Sequence, residues 1–532
     1  MIKTSALTFI AASIVGVSSL GAQNIPVREH MLKNGMKVLL VERHNEPTIA
    51  CGWVAKVGSS NERPGITGLA HLFEHMMFKG TKTIGTRNTS RDLELNDLQD
   101  KVQAEIRKEM SFLRDKQRRG EIKNIMDPSV RTPRLQSLLD EFDKLVKEQR
   151  ELIVKDEIWQ LYEAAGTTGL NASTSEDRTF YIVSIPSNKL ELWTLLESDR
   201  IMNPVFREFY SERNVVLEER RQTLESRPEG LIGEAYNAMT WMASPYHWQV
   251  IGWPSDISQV SREQANEFFA TYYAPNNITA VLVGDFNTDK AIELIEKYFS
   301  RIPANPKGVP EIITEEPLQP AQQRMIAKAE TQPSIQITFK TVSTVHKDAL
   351  TLRALASILS GSSSGGRGGG RGGAPPAGRL GKSLVLEQRV ATSVTAFSRG
   401  QKLSGTFSFR ATPLPGQSPE NLESLIYAEI QKIVQNGVTD EELARVKTAA
   451  QMSFYLAQES NTVLRGALAE AEAAGSYKDF LQGPARLQAI TKEDIQRVAR
   501  EYLVQERSNV LITTRAGAPA ERQRPNQPQE VN

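Results

Sequence analysis

The pentapeptide His71-Leu72-Phe73-Glu74-His75 constrains this chain more than any other stretch. Two of the six histidines stand four positions apart there, and residues i and i+4 of a helix share one face. If the segment is helical, both imidazoles reach a common point, and Glu74 is turned toward the same region. Two neutral imidazoles and a carboxylate able to hold and deprotonate a water are the elements of a metal-dependent hydrolytic centre. Their order is the reverse of the H-E-x-x-H zinc motif. The flanks favour a short helix, with Thr67 as the expected N-cap and Gly80 as the stop. The competing reading is a surface helix with two solvated histidines.

Catalytic zinc sites usually take three protein ligands and keep a fourth position open. The third ligand is sought in residues 212–220, ERNVVLEER. Glu212 and Glu219 are seven apart and share one face of a second helix, whereas Glu218 is turned about 100° away from Glu219. Glu219 is assigned as the ligand and Glu212 as a carboxylate that orients the site. On periodicity alone, a solvated acidic face paired with arginines fits the segment at least as well.

At this point a resemblance enters. Residues 68–81, GLAHLFEHMMFKGT, look like the active-site segment of the pitrilysin/insulinase/mitochondrial processing peptidase family. Residues 170–181, LNASTSEDRTFY, resemble its substrate-edge strand, and residues 212–219 resemble its third-ligand helix. YYAPNN at 272–277 and VGD at 283–285 are similar to a strand and its lead-in. The similarity runs from about residue 28 to residue 514 with two interruptions. The resemblance implies one Zn2+ held by His71, His75 and Glu219, with Glu74 as the catalytic general base and Glu212 behind the ligands. It implies peptide hydrolysis, with Asn171, Ala172, Ser173 and Thr174 pairing with an extended substrate. It also implies an α+β fold: two related halves of antiparallel-rich sheets with flanking helices, enclosing a chamber.

A chain of 532 residues exceeds one small core. Its net charge of +1 argues against nucleic acid as a partner. The single cysteine, Cys51, excludes an internal disulfide and, within the strand-like run IACGWVA, reads as a buried small apolar residue. Lys3, an apolar run over residues 6–17 and small residues at 18–22 read as a signal peptide, residues 1–22, cleaved near Gly21 or Ala22. The expectation is export, to the periplasm or beyond, with no membrane span in the remainder.

The chain divides into an N-terminal half, 25–302, a Pro-rich linker, 303–320, a C-terminal half, 321–515, and a polar tail, 516–532, expected to be disordered. Within the first half, residues 35–42 and 50–57 read as adjacent strands. Similar αβ content in the two halves reads as an internal duplication. Two insertions interrupt it. In residues 91–158, Leu95, Val102, Ile106 and Met110, then Leu135, Leu139 and Phe142, follow helical spacing across a break at 126–133. This reads as an antiparallel helical hairpin, either docking a partner or covering the chamber mouth, or merely solvated decoration. It places Glu219 much farther beyond His75 than is usual for the family. The second is a Gly/Ser/Arg tract, 361–378, at the place where the non-catalytic subunit of the mitochondrial processing peptidase carries a glycine-rich loop. A flexible loop without a role fits it equally. A phosphate-binding loop is excluded because Pro376 stands where the first glycine is required before Gly381-Lys382-Ser383.

The second half departs from the family pattern. Arg379-Leu380 match a family pair, but the Arg and Tyr that help hold substrate fall on Val385 and Thr392, unless a register slip brings in Arg389. The chain is therefore expected to be the zinc-bearing half of a heterodimer with a related Arg/Tyr-bearing chain, or to form a homodimer. Two alternatives stand beside this: a non-catalytic scaffold subunit with a vestigial site, and a zinc hydrolase of a non-peptide substrate. The complete set His71, Glu74, His75 and Glu219 argues against the first.

Overall fold

The computed structural model describes residues 25–361 and 378–515. The expected signal peptide, the tail and all but the ends of the Gly-rich tract lie outside the described residues. The first half runs β1 (Arg28–Met31), β2 (Lys37–Glu42), β3 (Thr48–Ala55), α1 (Leu69–Met76), α2 (Thr89–Arg118), α3 (Pro133–Leu152), α4 (Glu157–Ala164), β4 (Thr168–Thr174) and β5 (Thr179–Pro186). It continues through α5 (Leu190–Met202), α6 (Phe209–Arg220), α7 (Gly230–Thr240), α8 (Pro254–Gln259), α9 (Arg262–Tyr272), β6 (Ile278–Gly284) and α10 (Thr288–Phe299). The second half runs β7 (Gln323–Ala329), β8 (Ser334–Thr341), α11 (Ala349–Ser360), β9 (Ala391–Gly400), β10 (Gly405–Pro413) and α12 (Pro419–Asn436). It ends with α13 (Asp440–Glu459), α14 (Asn461–Ala474), α15 (Tyr477–Gln488), α16 (Lys492–Tyr502) and β11 (Ser508–Arg515).

The two sheets have the same topology. The first has the order β1-β2-β6-β3-β5-β4 and the second β7-β11-β8-β10-β9. In each, the closing strand pairs parallel with the first of the shared strands (β2 with β6, β7 with β11) and antiparallel with the next. The duplication is therefore structural, with β1 as an extra edge strand on the first sheet. The helix that follows β3 in the first half is α1, and the helix that follows its counterpart β8 in the second is α11. The sequence of α11, ALTLRALASILS, holds neither histidine nor carboxylate. The histidine and carboxylate set thus stands at one of two equivalent positions.

The strands at 37–42 and 48–55 are not adjacent, contrary to the sequence expectation. β6 lies between them. Every residue of β6 is buried, so this strand takes the centre of the sheet and displaces the shorter-range pairing. Both faces of the central strands are covered, which accounts for their unbroken apolar runs. Val38, Leu40, Cys51 and Trp53 face the helices of their own half. Leu39, Val41, Val54, Val281 and Val283 pack on Leu464, Leu468 and Ala469 of α14, contributed by the second half. Cys51 is fully buried, as its run suggested. Lys37 and Lys56 both reach the buried Glu472 of α14, at 2.8 and 2.9 Å. Leu468 is 0% exposed in this shared core, so Leu468→Ala should cost about 2–5 kcal/mol. A lowered urea midpoint followed by tryptophan fluorescence checks it.

The insertion is a helical hairpin with a small core of its own, Val102, Ile106, Met110, Leu113 and Leu135. Its base is fixed to the body by the fully buried Arg207, which pairs with Asp92 and donates to the carbonyls of Lys79, Thr81 and Ile84. The linker carries no helix or strand. It is strapped down by Glu316, which accepts the backbone N–H groups of Met242, Ala243 and Ser244 and pairs with Lys340. Among the described residues no helix is long and apolar enough to cross a membrane.

Candidate metal centre

The N-cap of α1 is Gly68, not Thr67. Gly68 has φ 86°, a left-handed conformation that suits glycine, and an added Cβ would meet the Ile251 carbonyl at 2.5 Å. The capping acceptor comes from elsewhere: the carboxylate of Glu62 accepts the N–H groups of Gly68 at 2.9 Å and Ala70 at 2.7 Å. Burial pushes the Glu62 carboxyl well above the usual range although those N–H groups oppose it. The Thr67 hydroxyl turns away and donates to Asp256 at 2.8 Å. Glu62 was not legible as a cap, since local patterns describe caps at the helix start and this one folds back from an earlier loop.

Leu72, Phe73 and Met76 anchor α1 in the core, which leaves His71, Glu74 and His75 on its partly exposed side. The two imidazoles lie 4.9 Å apart between centroids, at 80° to each other. Glu219 comes from α6 and completes the group. Its Oε2 is 3.7 Å from His71 Nε2 and 3.6 Å from His75 Nε2. Single donor atoms of His71, His75 and Glu219 all lie within 4.8 Å of one another, the one such group of three or more His, Cys, Asp or Glu side chains among the described residues. Glu218, on the same helix, is exposed and bonded to Arg221 and Gln222, which hold it at about 2. It takes no part.

Glu212 lies behind His75, with His75 Nδ1 and Glu212 Oε1 at 2.9 Å. Burial opposes ionisation of Glu212, but hydrogen bonds from His75 and Lys79 outweigh it and lower its pKa. An ionised carboxylate can only accept, so Nδ1 carries a proton toward Glu212, which leaves Nε2 as the ring nitrogen available to a metal. The chain continues as Lys79 Nζ to Glu212 at 2.7 Å, Lys79 to Glu208 at 3.6 Å, and Arg150 of the hairpin to Glu208 at 3.9 Å. Lys79 was missed in the sequence, where it looks like an ordinary helix-end cation. His71 is lowered to about 4 by burial and by the charge of His75, and its Nδ1 is buried without a partner. Burial lowers His75 too, but Glu212, Glu219 and Glu74 more than reverse it. Two imidazole nitrogens and a carboxylate oxygen within 4.8 Å of one another make a compact set of three metal-donor atoms, and no group among the described residues partners the buried His71 Nδ1. The donor set therefore fits a zinc ion with an open fourth position.

Glu74 is not one of the three converging donors. Its Oε2 accepts the Thr174 hydroxyl at 2.7 Å. Thr174 ends β4, the edge strand of the first sheet, whose outer side pairs with no strand among the described residues. Of the four edge residues, the structure brings Thr174 to the centre by its side chain. Ala172 is buried, while Asn171 folds onto the N–H of Ala172 at 2.9 Å and Ser173 accepts Arg178 through its carbonyl and hydroxyl. In the second half, Arg379 forms a two-point pair with Glu442 at 2.9 and 2.6 Å, and Leu380 is buried. Val385 is partly buried and Thr392 bonds the Pro413 carbonyl. Arg389 is exposed in a left-handed turn, φ 54°, just before β9, the counterpart of β4.

Family comparison follows the same division between the halves. The model described as Insulinase (Peptidase family M16) matches residues 37–128, which hold the motif helix. The model described as Peptidase M16 inactive domain matches residues 259–450, most of which lie in the half without ligands. The chain belongs to the M16, or pitrilysin/insulinase, peptidase family. Among its relatives, the zinc protease PqqE of Helicobacter pylori is 25% identical over 515 residues, covering 95% of this chain and 97% of that one. The probable mitochondrial-processing peptidase subunit beta of Arabidopsis thaliana is 21% identical over 484 residues, covering 89% and 75%. A crystal structure of a protease from Helicobacter pylori aligns with a TM-score of 0.72 at 23% identity, over 92% of this chain and 99% of that one. The periplasmic protease PqqL of Escherichia coli aligns with 0.65 at 18% identity, over 92% of this chain and 47% of its own.

Proposed function

We propose that this chain is a zinc endopeptidase acting on extended or unfolded peptides, exported by its leader, and that it supplies the zinc-bearing half of a two-chain enzyme. The observation that carries the reading is the convergence of His71, His75 and Glu219 beside Glu74 and an open sheet edge. His71, His75 and Glu219 would hold the ion, with Glu212 orienting His75. Zinc bound there supplies a Lewis acid for the scissile carbonyl and lowers the pKa of water toward ~7. Glu74 takes the proton of the attacking water and passes it to the leaving amine. The edge of β4 offers backbone pairing to an extended peptide, which reads main chain rather than a cleavage sequence. Support for a partner comes from the second half, where Val385 and Thr392 occupy the expected Arg and Tyr positions. The correspondence to about half of PqqL is in keeping with it.

The test is cleavage of a quenched library of unstructured peptides by the mature chain, with zinc content measured on the same sample. Zinc bound with no cleavage, and cleavage restored by a related Arg/Tyr-bearing chain, supports the two-chain reading. Full activity from the isolated chain overturns the partner requirement, and a chain that binds no zinc overturns the catalytic assignment.

Thr174 holds Glu74 by a hydroxyl with one proton to give. Thr174→Val should lower kcat by about tenfold, the order of one lost hydrogen bond to a charged group, with zinc content unchanged. Thr174→Ser should keep most of the rate. A parallel fall in zinc content would show that the contact serves the fold of the centre instead.

A further inference from the structure

Buried arginines in this fold are generally matched by carboxylates. Arg200 pairs with Glu197, Arg207 with Asp92 and Arg220 with Glu234. Arg465 of α14 gives its hydrogen bonds to the Cys51 and Val183 carbonyls instead, and two arginines where the hairpin meets α6 also depart from the pattern. Arg213 of α6 is 8% exposed, gives one hydrogen bond, from Nη1 to the Val260 carbonyl at 2.8 Å, and leaves a buried Nε without a partner. Its guanidinium lies over the Tyr210 ring at 4.7 Å. Arg107 of α2 has a buried Nη1 that also lacks a partner. The neighbouring Arg262, by contrast, pairs with Asp100 at 3.1 Å. Burial lowers Arg213 to about 10, and the charges of Arg107 and Arg262 push the same way.

Arg107 and Arg213 line an open-sided cavity of about 270 Å3 between the hairpin and α6. Arg131, exposed and donating to Gln136 at 3.2 Å, lines it as well, and the one carboxylate residue of the lining is the exposed Asp143. The remaining wall is largely apolar, with Met110, Leu139 and Phe142 from the hairpin. Unmatched guanidiniums beside an apolar wall are the two halves of a site for an amphipathic anion. A buried charge without a counter-ion is costly, and a bound carboxylate would relieve that cost.

We propose that this cavity binds a small alkyl carboxylate of the medium-chain fatty-acid class. Its head lies between Arg107 and Arg213, and its chain runs along Met110, Leu139 and Phe142. The occupant bridges the hairpin and α6, joining an inserted element to the helix that carries Glu212 and Glu219.

The experiment is calorimetric titration of the full chain, zinc-loaded, with sodium octanoate, and in parallel with acetate and inorganic phosphate. The expected result is one octanoate per chain with a Kd on the order of 1 mM or tighter, and acetate and phosphate at least ~10-fold weaker. Arg107 is only partly buried, so Arg107→Met tests the head group with little risk to folding. Leu139→Trp fills the apolar end. Each should weaken octanoate by at least ~10-fold while zinc content stays at the wild-type level. No octanoate binding overturns the proposal. So does binding that survives both substitutions, which would place the carboxylate on the metal centre or the general surface. Phosphate or acetate matching octanoate would also overturn it, because the apolar wall would then recognise nothing.

Discussion

Glu74→Gln should reduce peptide hydrolysis by ~10²–10⁴-fold, the usual contribution of a positioned general base, while zinc remains bound. The substitution keeps the size of the side chain and a carbonyl oxygen that still accepts the Thr174 hydroxyl, now 2.7 Å from Glu74 Oε2. It removes the capacity to accept a proton from water. The three donors that converge at the centre are His71, His75 and Glu219, so the ligand set is untouched. Initial rates on a quenched peptide, with native mass spectrometry on the same preparation, separate the two quantities. Zinc lost together with activity would make Glu74 a ligand or a structural element rather than the base. Activity retained would remove it from the chemistry. For a chain that needs its partner, the comparison is made in the reconstituted pair.

What the sequence disclosed and what it hid divide along the range of the interactions involved. The i,i+4 spacing of His71 and His75 is a property of a single helix, and it placed α1 directly. The alternating faces of the hairpin were likewise local, since Val102, Ile106, Met110 and Leu135 form their own core. Glu219 needed more than periodicity, because an acidic helix face facing solvent has the same pattern; only the resemblance distinguished the two. The cap of α1 was misread because its acceptor, Glu62, approaches from outside the helix while Thr67 is engaged by Asp256. The order of β2 and β3 was misread because the strand between them, β6, arrives from the far end of the half. The helix α14 was not placed at all. Its sequence, NTVLRGALAEAEAA, is short on large apolar residues, and its partner is the outer face of the other half's sheet. Thr174 was read as a contact for substrate, and its hold on Glu74 emerges only when the edge strand and the motif helix are side by side. The duplication shows the same limit from the other side. Two halves with one topology differ in their donor residues, at α1 against α11 and through the Glu219 that α6 adds, and topology alone does not say which half carries them.

Glu219→Ala is the substitution that tests whether the convergence of donors is a metal site or a coincidence of polar side chains. Removing the third donor should lower zinc affinity by more than ~10–100-fold, the range for an outer partner such as Glu212, and leave the purified variant essentially free of zinc. The Glu219 side chain is 38% exposed, and α6 is anchored through Phe209, Tyr210 and Val216, so its loss should not unfold the helix. The stability readout follows from linkage. A ligand that binds the folded state stabilises it by RT ln(1 + [L]/Kd), so a chelator should lower the unfolding temperature of the wild type and leave that of Glu219→Ala unchanged. Glu212→Gln should fall between them, holding zinc more weakly, because an amide accepts the His75 Nδ1 proton without the charge that makes the imidazole a stronger donor. If chelator lowers the unfolding temperature of wild type and Glu219→Ala equally, the ion sits elsewhere and the assignment of Glu219 is wrong. If it shifts neither while zinc is present at one per chain, the metal is bound outside the folded core and the convergence seen at α1 and α6 has another cause.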